Sequence, residues 1–151
     1  MTDENSTIDD PELGPFTRAH SELTDGTVLT HDWFVGTTSV EGTEIELMLE
    51  GTSSGEVAPL LPRMRDTVKR LDIVRRIATD AVVTNFSTGA PETRELDDAA
   101  SDLTIEAIEA ATDGTVVLHL IDTCGEHFPE GYWPAVHLGV DDSVVVVTVE
   151  S

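Results

Sequence analysis

Between residues 59 and 86 the apolar side chains recur every three or four positions, while in the segment before it they recur every two. Leu61, Met64, Val68, Leu71, Ala78 and Val82 follow the helical period, and Leu60, Ile77, Ala81 and Phe86 widen the same face. Ile45, Leu47 and Leu49 instead alternate with Glu44, Glu46 and Glu50, the mark of a strand with one dry face and one wet face. The pattern predicts a helix over about 59–86, with a kink or break near Leu71–Asp72. Pro59 and Pro62 fit only close to its start.

Around this helix, strands are expected at 27–35, 44–50, 115–122, 132–139 and 143–150. The four valines at 144–147 do not alternate, which predicts a strand buried on both faces or central in its sheet. Residues 103–112 read as a short helix, and the acidic, Gly- and Pro-containing stretch 87–102 as an acidic surface loop. The expected architecture is α+β: a mostly antiparallel sheet of about five strands, with one long amphipathic helix and one short helix packed on it. Residues 1–13 hold five acids and no base and read as an acidic disordered tail, residues 15–26 as loop-like with room for a short strand or turn, and 14–151 as a single domain.

Charge is the second constraint. Thirty acids face eight bases, for a net charge of −22, and Lys69 is the one lysine. Self-repulsion on that scale destabilises a compact chain at low salt and is screened at high salt. A surface of short carboxylates with almost no lysine points to a salt-adapted, cytoplasmic protein. An acidic mimic that engages a basic protein, or an acid-rich protein of an ordinary cell, remains open. Direct nucleic-acid binding is not expected, because phosphates would meet a repulsive field. The N-terminus lacks the basic and apolar regions of a secretory signal, and no run reaches the ~18 apolar residues of a membrane span. One cysteine excludes an intrachain disulfide.

Six of the eight bases crowd into one helical stretch. Arg63, Lys69, Arg70 and Arg76 fall away from its apolar seam and define a positive ridge, a candidate contact for an acidic partner. The alternative is that these groups neutralise the chain's own carboxylates, some of them from 92–102, and guanidinium suits either role.

The chemical candidates lie further on. Cys124 and His127 form a C-x-x-H, with His119 on the strand before and His137 on the strand after. If those strands pair, both histidines share a face about one diagonal step apart, and the four side chains make a candidate tetrahedral zinc site. Cys124 as a nucleophile is disfavoured by Asp122 and Glu126, which oppose a thiolate. In His31-Asp32-Trp33, neighbours along a strand point to opposite faces, which argues against a catalytic pair.

From residue 115 onward the order is strand, Gly-containing turn, Tyr132-Trp133-Pro134-Ala135-Val136-His137-Leu138, acidic turn, and valine-rich closing strand. Preceded by a strand pair bearing Trp33 and a long amphipathic helix, residues 27–150 resemble a family of small α+β domains of unknown function found in bacteria and haloarchaea, some relatives of which are immunity proteins. The resemblance implies a fold rather than an activity, with Trp133 and His137 its most recognisable positions.

Two functions are therefore expected in parallel. One is a non-enzymatic domain acting through protein–protein contacts, as a regulator or immunity-like inhibitor without a cofactor, using the arginine ridge and the sheet face of Trp133 and His137. The other is a small zinc protein or metalloenzyme built on His119, Cys124, His127 and His137.

Overall fold

The computed structural model describes residues 6–151. Among these, eight strands form one sheet in strict chain order: β1 (Thr7–Asp10), β2 (Gly14–Glu22), β3 (Val28–Val40), β4 (Thr43–Glu50), β5 (Leu103–Ala110), β6 (Val116–Asp122), β7 (Trp133–Leu138) and β8 (Val144–Glu150). Neighbours are antiparallel except β4 and β5, which are parallel. Parallel neighbours need a long crossover. Helices supply it: α1 (Ser54–Val57), a 3-10 turn (Ala58–Leu60), α2 (Leu61–Lys69), α3 (Leu71–Phe86) and α4 (Thr93–Asp102). The sheet is thus two four-stranded meanders joined along one parallel seam.

The helical segment divides where the chain leaves helical geometry. Arg70 has φ −104° and ψ 30°, so α2 ends there and α3 begins one residue later. Pro59 and Pro62 each sit in a first turn, where no intrahelical N–H bond is lost. Among the described residues, no helix is long and apolar enough to cross a membrane.

Leu47, Ile108, Leu118 and Val136 lie side by side across four strands and are fully buried. Met64, Val74 and Ala78 of the helices are fully buried in the same core. Phe16 completes the core at the first meander, its ring lying over Gly36 so closely that a Cβ there would stand 2.8 Å from it. Residues of the alternate parity, including Glu46, Glu109, His119 and His137, form the other face of the sheet.

The five-strand, one-long-helix expectation is corrected to eight strands in a mixed sheet with a divided helical crossover. Residues 103–112 are a strand rather than a short helix. Ladder register slips between Ile105 and Ala107, so the buried positions run Leu103, Ile105, Ile108, Ala110. That single bulge breaks the period of two, and with Glu and Ala between, the spacing mimics a helix. Residues 14–22 form β2, a nine-residue strand inside the stretch expected to be loop-like with a short strand or turn, and it pairs with both β1 and β3. The valine run is neither central nor doubly buried: β8 is an edge strand, with Val144, Val145 and Val146 exposed.

Of the acidic tail expected over 1–13, residues 1–5 lie outside the described residues. Residues 7–10 are β1, and Asp10 is buried, accepting from the Glu12 and Leu13 N–H groups at 2.9 Å and pairing with Arg65 at 3.1 Å. Of the expected acidic loop 87–102, residues 93–102 are α4.

Candidate functional site

The cations of the expected ridge are all engaged within the chain. Arg63 donates to Asp142 and to the Gly139 carbonyl, Lys69 pairs with Glu12 at 3.3 Å, Arg70 with Asp66 and Asp142, and Arg76 with Asp80 and Asp97. Arg75, partly buried, donates to the carbonyls of Ala100 and Leu103. These side chains bind the helices to the acidic elements around them. Asp142 shows the electrostatic outcome: burial opposes its ionisation, but hydrogen bonds from Arg70 and Arg63 outweigh burial and hold its carboxyl below the usual range.

The four expected metal ligands do not converge. His119 and His137 share the open face of the sheet, offset by two residues, since His119 faces Ala135 while His137 faces Val117. The Trp133 Nε1–H donates to His119 Nδ1 at 3.0 Å. That leaves Nε2 as the donor to Glu109 Oε1, 2.5 Å away. This hydrogen bond lowers the Glu109 carboxyl against the opposing effect of burial. His137 Nε2 contacts the Thr148 hydroxyl at 3.1 Å, which in turn donates to Glu150. Trp133 and His137, the expected partner contacts on this face, are thus each tied into a side-chain chain of their own.

Cys124 and His127 do come together, and with a third residue absent from the sequence reading, Asp102. Ligand atoms of Asp102, Cys124 and His127 all lie within 4.8 Å of one another. The loop that carries them folds around Asp122: one carboxylate oxygen accepts from the His127 and Phe128 N–H groups at 2.7 and 3.2 Å, the other from the N–H and thiol of Cys124. Burial opposes ionisation of Asp122, but these donors prevail and lower its pKa. His127 Nε2 lies 3.0 Å from Asp102 Oδ2, and this bond raises the histidine's pKa. The Glu126 N–H favours the Cys124 thiolate; the Asp122 hydrogen bond, burial and the Asp102 and Asp122 charges overcome it and push the thiol up. A resting thiol of this kind is a poor nucleophile.

Beside this cluster lies an apolar groove of about 660 Å³ between the end of α3, α4 and the β6–β7 loop. Val82, Phe86, Leu103, Phe128, Tyr132 and Val149 give it apolar walls. Phe86 and Phe128 meet edge to face with centroids 5.8 Å apart, and Phe86 and Tyr132 are about half exposed. Charged groups enter the lining at three points: Glu95 and Asp98 from α4, and His127. Both carboxylates are exposed.

Asp102 and the groove escape a sequence reading that places 87–102 in a loop and 103–112 in a helix. The signal lies in the hairpin around residues 111–115: with Leu103 opposite Asp122, Asp102 falls opposite Thr123, whose N–H and hydroxyl both donate to its carbonyl. No protein family, curated protein or solved structure matches this chain.

Proposed function

We propose that this chain is a binding protein for a small organic cation with an apolar body, held in the groove between α3, α4 and the β6–β7 loop. The observation that carries the reading is an apolar, aromatic-walled cavity whose rim bears the carboxylates of Glu95 and Asp98. Its volume of about 660 Å³ falls within the ~300–1,000 Å³ of small-molecule sites. The rings of Phe86, Phe128 and Tyr132 supply apolar area, and their π faces favour an alkylated ammonium. The −22 net charge concentrates cations around the protein and steers them inward. The ridge cations pair with the chain's own carboxylates, which favours internal compensation over a contact for an acidic partner.

Titration with hexyltrimethylammonium, followed by NMR of the aromatic ring protons, tests the proposal. Saturable shifts at Phe86, Phe128 and Tyr132, lost in Phe128→Ala, are expected. Shifts scattered over the acidic surface without saturation would reject it.

A further inference from the structure

We infer that Asp102, Cys124 and His127 form a binding site for a zinc-like divalent transition metal at the margin of the groove. Zinc in a tetrahedral site sits about 2.0–2.3 Å from nitrogen, oxygen and sulfur ligands, which places those ligands roughly 3.3–3.7 Å apart. Here Asp102 Oδ2 and His127 Nε2 are already 3.0 Å apart, and the thiol completes a triangle no wider than 4.8 Å. A metal ion would take the place of the hydrogen bond between the imidazole and the carboxylate, and closing the triangle asks for a shift of no more than about 1 Å, which the exposed Cys124 side chain can make.

The donor chemistry fits one class of ion. Thiolate and imidazole select a borderline-soft metal over calcium or magnesium, which want an all-oxygen shell. A carboxylate, a thiolate and a neutral imidazole balance a 2+ charge. Cys124 must release its proton on binding, and the carboxylates of Asp102 and Asp122 beside it attract the cation. Asp122 ties the loop through the N–H groups of Cys124, His127 and Phe128, so that Cys124 and His127 are presented from one hydrogen-bonded turn while Asp102 comes from the end of α4.

Three protein ligands leave a fourth position for water or an exogenous group. His127 also lines the groove, so the metal stands next to the groove's occupant. The metal site extends beyond the groove reading and does not depend on it: either can hold without the other.

Cobalt(II) tests the site, because a non-specific acidic surface binds the ion without a thiolate band. Untagged, metal-free protein titrated with cobalt(II) is expected to bind one ion per chain with a near-ultraviolet thiolate-to-cobalt charge-transfer band, and zinc should abolish that band by displacement. Cys124→Ser should lose the band. Asp102→Asn and His127→Gln should weaken binding by more than about 100-fold, beyond the 10–100-fold expected for Asp122→Asn, which supports the ligands without touching the metal. His119→Gln and His137→Gln should bind as the parent does. All substituted ligands are at the surface or its margin, and retention of the parent's far-ultraviolet dichroism identifies folded variants. A parent without the charge-transfer band, or equal affinity across all the variants, would overturn the site. Hexyltrimethylammonium binding measured on the same metal-free protein reports on the groove separately.

Discussion

Arg63 reaches from α2 to the β7–β8 turn, where Nη1 donates to Asp142 Oδ1 and Nη2 to the Gly139 carbonyl, both at 2.8 Å. Asp142 also receives Arg70, so one carboxylate in a left-handed turn position, φ 64°, locks the helical layer to the last hairpin. Asp142→Asn keeps a residue that tolerates this backbone and removes the charge alone. Urea unfolding at neutral pH should show a loss of about 1–3 kcal/mol. The folded-state pKa of Asp142 is depressed, so the stabilisation is fully present above the unfolded value near pH 4 and is lost as pH falls through the folded value. The gap between parent and variant should therefore close in acid; a gap independent of pH would show that charge is not its source.

Salt acts on two opposed sets of interactions. Screening weakens the surface pairs of Lys69, Arg70 and Arg76, but it also relieves repulsion among thirty acids opposed by eight bases. Repulsion dominates at that imbalance. The thermal midpoint should rise steeply from about 0.1 to 2 M KCl, as the Debye length falls from about 10 Å to under 3 Å. A flat response would remove the salt-adapted reading.

Gly36 is where β3 gives up a side chain so that Phe16 can cross it. A Cβ there would lie 2.8 Å from the ring and 2.9 Å from the Pro15 carbonyl. Gly36→Ala should cost about 1–3 kcal/mol through overpacking. Gly89→Ala, with nothing within 4 Å of the new carbon, should stay within about 0.5 kcal/mol of the parent. Equal effects at the two positions would refute the packing argument.

The parts of the fold legible in the sequence are those with an uninterrupted period. The β3–β4 hairpin and the helical face from Leu61 to Val82 follow from such patterns, and the break expected near Leu71–Asp72 falls at Arg70. Strands failed to show where the period is broken or hidden. A bulge between Ile105 and Ala107 gives β5 a helical spacing, and in β2 only Phe16 and Ala19 are buried apolar residues amid polar neighbours. The site followed the fold. C-x-x-H was readable as a local motif, and the diagonal offset of His119 and His137 as a register. Convergence with Asp102 was not, because it depends on the bulged hairpin.

Arg75 joins this core to the groove. Its guanidinium donates to the carbonyls of Ala100 and Leu103, at the junction of α4 and β5 that carries Asp102 and the groove wall. Arg75→Met should leave those carbonyls short of donors, cost about 1–3 kcal/mol, and speed amide exchange in α4 more than in β6. Arg75→Lys should not restore protection, since an ammonium lacks the planar fork that reaches both carbonyls. Uniform exchange changes across the sheet would contradict the strap.

The most direct test is the groove's preference for charge at constant apolar length. Hexyltrimethylammonium, hexanol and hexanoate are titrated in parallel into the parent and into Glu95→Gln/Asp98→Asn at fixed ionic strength. The parent is expected to bind the cation at least about tenfold more tightly than the alcohol, a difference near 1.4 kcal/mol. Hexanoate should bind weakest, and the double variant should lose the preference while still binding hexanol. Equal affinity for all three ligands, or a cation preference unchanged in the double variant, would contradict it.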